Sequence, residues 1–407
     1  MPQRYFFQLR LVTYTVLLFA NTNIFASPAL NSFMQQVWEK NPSIQAAETA
    51  VEAAKVRRQA ANQPLYNPEV GVEVERSDIN TLSFGVNQSV DWGDKRSALR
   101  EKSDADIHLA ITELNIQKFA IAEEILIALV NQKTTFHLQK LAQRRVELMN
   151  EFTENTIKRQ TAGDVGLQDV ALAHVALSEA KMQLARSQAL QAVNEAKLQS
   201  ASGFFTSEWP VLIIEPPALP PRNDMDQYLN QLPDISVLKA NVSAAKSNIT
   251  LIKAASKADP NFGLKAGMED GNPLLGLSFS MPLNIRNSYR AEVEVASQES
   301  LQQEQLLLAA IQRAKSHING AFRRYSVTYE AWQSWKKTGI ANLKEQMNLI
   351  QTIWKSGEMS TSDYLVQAKQ NVDAQETAVE LSAEMWAAWI EWLTVSGQIE
   401  QWINQSK

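Results

Sequence analysis

The 407-residue sequence contains no cysteine, and glycine and proline number only 14 each. Without a thiol there is no disulfide framework, no cysteine nucleophile and no zinc ribbon. The scarcity of Gly and Pro excludes collagenous or long low-complexity segments. Basic charge is not in excess either. Lys and Arg total 39 against 44 Asp and Glu, a net charge of −5, so there is no electrostatic footprint for nucleic acid. No glycine-rich phosphate loop, nucleophile elbow or paired-histidine metal motif is present. His108, His137, His174 and His317 lie far apart in helical stretches, and the methionines do not cluster. No catalytic residue, no metal site and no other cofactor is therefore expected, and the chain does not read as an enzyme. Long apolar runs are missing too: beyond the first residues nothing approaches the roughly 20 needed for a membrane-crossing helix.

What is present begins with a targeting segment. Residues 1–26 carry Arg4 and Arg10, then "LVTYTVLLFA", then small residues up to Ala26. This is the layout of a secretory signal peptide, so an exported mature chain starting near Ser27 is expected. Residues 29–62 then read as helix. In "NPEVGVEVER", Val70, Val72 and Val74 alternate with Gly71, Glu73 and Glu75; after a turn, Leu82, Phe84, Val86 and Val90 alternate with Ser83, Gly85, Asn87 and Ser89. Period two with one apolar and one polar face means strands, here a hairpin over 67–91. From Asp94 to Thr161 there is neither Gly nor Pro, and Ile107, Ile111, Leu114, Ile121, Ile125 and Ala128 recur at coiled-coil spacing. Such a helix would be on the order of 100 Å long. "TAGDVGLQDV" interrupts it, and a returning helix runs to about Ser200 with Val170, Ala173, Leu177, Ala180 and Leu184 as its seam.

The whole layout then repeats. "LPDISVLKANVSAAK" restates "NPSIQAAETAVEAAK", and "KSGEMSTSDYL" restates "TAGDVGLQDVA", matched landmarks being 191–195 residues apart. A tandem duplication follows. The first structural repeat occupies 27–208, with its hairpin at 67–91 and the tip of its long helical hairpin near 163–169. Residues 209–224, with five prolines, form an irregular connection. The second repeat occupies 225–407, with a hairpin at 261–284 and a tip near 357–363. Trp386, Trp389 and Trp392 near the C-terminus read as helix packing or as an amphipathic edge.

Two strands per half are unstable alone, and four per chain are too few for a barrel, which needs about eight. One reading packs the hairpins as a sheet on helices in a soluble domain. The other pools strands from several copies into a membrane barrel, since strands of about ten residues suit a tilted span. Residues also favour a structural reading of the tips: Gly357 ends one helix, Ser360 caps the next and Asp363 falls at its third position. Gly163, Gly166 and Asp169 repeat that arrangement.

The duplicated layout, the hairpin positions and the paired Gly…Asp turns resemble the TolC family of outer-membrane efflux ducts over the whole mature chain. Within it, "NPEVGVEVE" and the Gln88…Gly93-x-Lys95-Arg96 stretch resemble the CzcC-type branch, which serves heavy-metal cation efflux. The resemblance implies a mainly α fold with a small β part. Duplicated long α-hairpins would form an α-barrel, and four strands per chain would complete a trimeric 12-stranded outer-membrane β-barrel. It implies a passive duct with its helical part in the periplasm, surrounded above by outer-membrane lipid. Its partners would be a periplasmic adaptor and an inner-membrane RND-type pump, and its substrate divalent heavy-metal cations. A multidrug or type I secretion duct of the same fold is the alternative, and a periplasmic coiled-coil adaptor a more distant one. Asp363 and Asp169 would ring the periplasmic entrance as a gate. A second acidic ring is not expected, because the next matching position is Val366. Gly163, Gly166, Gly357 and Ser360 would form the tip turns where the adaptor docks. Glu73, Glu75, Lys265 and Glu269 would face the lumen. Lipidated relatives carry a cysteine after the signal peptide; none is present here, so no lipid anchor is expected.

Overall fold

The computed structural model describes residues 30–206, 208–212, 215–218 and 225–405. The expected signal peptide and parts of the Pro-rich connection lie outside the described residues. The first half forms α1 (Leu30–Lys40), α2 (Pro42–Ala60), β1 (Glu69–Arg76), β2 (Asn80–Ser89), α3 (Lys95–Thr161) and α4 (Leu167–Ser202). The second forms α5 (Met225–Gln231), α6 (Pro233–Ala255), β3 (Asn261–Glu269), β4 (Asn272–Ser280), α7 (Arg290–Lys355), α8 (Thr361–Ser396) and α9 (Ile399–Gln405). It is a mainly α fold of duplicated long hairpins with one small sheet.

Two boundaries differ from the sequence pattern, both because of proline. The helical stretch at 29–62 breaks at Asn41, whose Oδ1 accepts from the Ser43 N–H at 2.9 Å, and Pro42 opens a new helix as its first residue. The strand alternation that continues through Leu283 ends as structure at Ser280, because Pro282 has no N–H to extend a ladder.

The helices lie side by side as a sheet-like layer. Towards the strands the packing order is α2, α3, α6, α7; towards the tips it is α4, α3, α8, α7. Thus α3, with 67 residues and a length of about 100 Å, and α7, with 66, run through both levels. A belt between the levels holds the main core, in which α1, α5 and α9 cover α3, α7 and α8. Trp386, Trp389 and Trp392 are buried there, so their spacing is packing. Of the α3 stripe, Ile121, Ile125 and Ala128 enter this core, whereas Ile111, nearer the strands, remains exposed.

The strands form one antiparallel sheet in the order β1-β2-β3-β4, so the two hairpins join through β2 and β3 and leave β1 and β4 as open edges. Asp270 and Gly271, at φ 44° and 85°, make the two-residue turn between β3 and β4, the pair that a type I′ hairpin favours. All four connections to helices leave from one end of the sheet, and both hairpin turns lie at the other.

Candidate functional site

Register decides which side chains share a face, since directly opposed residues point the same way. Val72 opposes Phe84, Phe84 opposes Ala266, and Ala266 opposes Leu275; the next row runs Val70, Val86, Leu264, Leu277. These rows, and the Val74, Leu82, Met268, Pro273 row beside them, are apolar from β1 to β4; Arg76, Asn80 and Gln88 share the face only at its two ends, and no helix covers it. Leu277 is 85% exposed, Val70 78% and Phe279 63%, the last tilted against Phe262 at 5.3 Å. A contiguous apolar face of this extent is foreign to water-facing surfaces. Among the described residues no helix is long and apolar enough to cross a membrane.

The opposite face carries Glu73, Glu75, Lys265 and Glu269. Lys265 Nζ lies 3.1 Å from Glu73, which also accepts from the Ser83 hydroxyl at 3.3 Å. Glu75 and Glu269 both oppose Thr81, so the two carboxylates sit in one row near the hairpin-turn end. Glycine recurs on this face for a steric reason: a Cβ on Gly267 would lie 2.1 Å from the Leu82 carbonyl oxygen. The face is kept thin where strands approach closely.

At the far end of the helices the two tips repeat each other. Gly163 and Gly357 both adopt φ 83°, and each tip closes with paired bonds: Asp164 N–H to Arg159 O with Gly163 N–H to Gln160 O, and Glu358 N–H to Ile353 O with Gly357 N–H to Trp354 O. This is a glycine-dependent helix stop that satisfies the last carbonyls. Each following helix then starts on its own aspartate. Ser360 Oγ accepts from the Asp363 N–H at 3.1 Å and donates to Asp363 Oδ2 at 2.6 Å; Asp169 Oδ2 accepts from the Gly166 N–H at 3.0 Å. Both carboxylates thus turn back on their caps, each within its own tip. The tips are held side by side by Phe152, Trp354 and Tyr364, the last two stacked at 4.4 Å, and by Lys355–Glu151 at 2.7 Å and Lys369–Glu179 at 3.1 Å. Burial raises the Tyr364 phenol above its ordinary pKa. Glycines 163 and 357 and Ser360 are exposed, as is Asp363.

Two further constellations had no sequence signal. Arg145 of α3 is nearly buried between the hairpins. It bonds Asp373 at 2.5 Å and Glu376 at 3.5 Å on α8, and Gln183 on α4. Burial, only partly offset by Arg145, holds the Glu376 carboxyl above the usual range. The second lies where sheet meets helix. Asp259 bonds Lys95 at 2.7 Å and accepts from the Tyr66 hydroxyl. Burial pushes the Asp259 carboxyl up, but its bonds from Lys95 and Tyr66 and the Lys95 charge outweigh this and hold it low; Asp259 in turn raises Tyr66 to about 12. Nearby, Asp91 caps α3 through the N–H groups of Lys95 and Arg96, both at 2.9 Å, and a Cβ on Gly93 would meet the Ala254 carbonyl oxygen at 2.8 Å. The Gly93-x-Lys95-Arg96 stretch therefore has a structural reason in this chain.

No family model matches the chain, and no characterised protein matches it by sequence. Solved structures do. The CusC structure, whose description concerns folding and transmembrane channel formation, superposes with TM-score 0.76 at 13% identity, covering 93% of this chain and 95% of that one. The Campylobacter jejuni CmeC outer membrane channel gives 0.77 at 12% identity, over 93% and 89%. The open state of the Neisseria gonorrhoeae MtrE outer membrane channel gives 0.74 at 16%, over 91% and 89%. The chain has the outer-membrane channel fold. Those neighbours are themselves channels. In this channel fold the bare apolar strands, the paired tips and the helical layer between them account for nearly the whole described chain.

Proposed function

We propose that the chain is one subunit of a homotrimeric outer-membrane duct in a tripartite efflux system. It passively conducts substrate delivered by a periplasmic adaptor and an inner-membrane RND-type pump. One observation carries this reading: a four-stranded sheet with a bare apolar face and two open edges, attached at one end to helices that also leave open edges. Lipid covers such a face, and further strands complete such edges. Three copies supply twelve strands, above the roughly eight a barrel requires, and the polar face then lines water. The signal peptide exports the chain, the barrel alone anchors it without a lipid, and the helices stand in the periplasm. The pump supplies the energy, so no catalytic residue is needed.

Three copies of Asp363, with Asp169 behind them, surround the periplasmic entrance as a gate in this reading. Capping and gating coexist there, because each cap engages only Oδ2 of its aspartate. Gly163, Gly166, Gly357 and Ser360 present the tip turns to the adaptor. Divalent heavy-metal cations are the proposed substrate. Support comes from Glu75 and Glu269 sharing a row on the polar face, and from the likeness of the first hairpin to the CzcC-type branch. Glu73 adds less, being paired with Lys265. Deleting the gene and measuring growth in zinc, cobalt, cadmium and copper, beside a panel of drugs and dyes, is the test. Metal sensitivity is expected. Drug sensitivity with unchanged metal tolerance would reassign the chain as a multidrug duct.

A further inference from the structure

The wall of the helical layer contains a cavity of about 820 Å³ between α3, α7 and α8, beside Glu215 of the connection. That volume is in the range of sites for drug-sized molecules. Its chemistry is one-sided. Lys133, His137, Lys140 and Arg144 of α3 recur at steps of four, three and four, which sets them on one helix face, and Lys344 of α7 joins them. Helix α8 contributes no charge to the lining, only groups such as Asn371, Gln375 and Ser382. Among the described lining residues the one carboxylate is Glu215, already bound to Lys336 at 2.6 Å. Arg144 has Glu147 at 3.1 Å, outside the cavity lining.

The walls are aromatic. Trp332, Trp335 and Trp386 line the cavity, and Lys133 Nζ sits 5.2 Å over the Trp386 ring while donating to the Leu212 carbonyl at 3.0 Å. The indole N–H of Trp332 is buried without a hydrogen-bond partner. Burial depresses the pKa of Lys133; burial and the charges of Lys133 and Lys140 depress that of His137. Positive groups are thus crowded together in a chain that is acidic overall, and a bound anion would relieve them.

We propose that this cavity binds a small amphipathic organic anion, its aromatic body among the tryptophans and its sulfonate or carboxylate against Lys133, Lys140 and Lys344. This goes beyond the duct reading, and it concerns the wall rather than the passage. A metal cation would be repelled here.

The experiment uses the purified full-length protein in amphipol and equilibrium dialysis with 2-naphthalenesulfonate, beside 2-naphthylmethylammonium as a probe of equal body and opposite charge. Saturable binding of one sulfonate per chain is expected, with the ammonium at least tenfold weaker. Lys140→Glu combined with Lys344→Glu, both exposed positions, should weaken the sulfonate at least tenfold, whereas Lys140→Arg with Lys344→Arg should retain it. Equal binding of the two probes, no saturable binding, or a Glu pair that binds as wild type would each overturn the proposal. Because binding is read without transport, the duct reading can fail or stand independently.

Discussion

Leu277→Arg is the sharpest perturbation of the sheet. Leu277 lies one residue from the middle of the nine-residue β4, opposes Leu264 and is 85% exposed on the apolar face. Nine residues at about 3.4 Å each, tilted by about 40°, project to a little over 20 Å, close to the roughly 25 Å apolar band of an outer-membrane barrel. Position 277 therefore falls near the midplane, where arginine costs about 2–4 kcal/mol. The leucine's own transfer, about 1.5–3 kcal/mol, is lost as well, giving about 3.5–7 kcal/mol per chain. Threefold repetition in a trimer triples it. Ser278→Arg, one residue on and facing the other way, should cost no more than about 1 kcal/mol where water reaches it. Leu277→Ser should fall between, separating charge from lost apolarity. The assay is folding into lipid vesicles followed by urea titration, with outer-membrane yield in cells beside it. Equal losses for Leu277→Arg and Ser278→Arg would refute both the face assignment and the lipid contact.

Arg145→Met should destabilise the helical layer by about 2–3 kcal/mol, less than the roughly 3–5 of a fully buried pair, because Asp373 is half exposed and solvent screens it. Its pH dependence has a definite sign: Glu376, already raised by burial, loses its cation, so the variant is least impaired below about pH 4, near the unfolded carboxyl pKa, and worsens as pH rises through the folded value. Urea melts at several pH values check this, and a pH-independent deficit would contradict it. At the tip, Asp363→Ala should lose about 0.5–1 kcal/mol of local helix stability and, if it gates, raise single-channel conductance and weaken block by divalent cations. Wild-type conductance and block would leave Asp363 as a cap alone.

Much of the architecture is legible because it is written in short-range pattern. The strands announce themselves by period two, and α3 by 67 residues without Gly or Pro. The tips could be read from Gly357, Ser360 and Asp363, since stopping and starting a helix is local chemistry, and those residues make the expected bonds. Asn41–Pro42 was missed as a break because the helical composition continues across it. Arg145 was invisible for a different reason. Its carboxylate partners lie 228 and 231 residues away, and a lone arginine in a helix ordinarily means solvent. The cationic cavity needs α3, α7 and α8 brought together before its four-three-four spacing acquires meaning. Substrate is the least legible property, since a duct acts through a surface rather than through a few committed groups.

The placement of every helix connection at one end of the sheet restricts how copies can associate. Pairing β1 with β1, or β4 with β4, about a twofold axis would be antiparallel and would keep the apolar faces together. It would also throw the two helical layers in opposite directions, one to each side of the lipid. Joining β4 of one copy to β1 of the next is antiparallel as well, yet leaves all helices pointing the same way. In the proposed duct, where every copy is delivered from one compartment, association is thereby heterologous and closes by rotation about the barrel axis, and isologous edge pairing is ruled out by the side from which the chain arrives rather than by any contact.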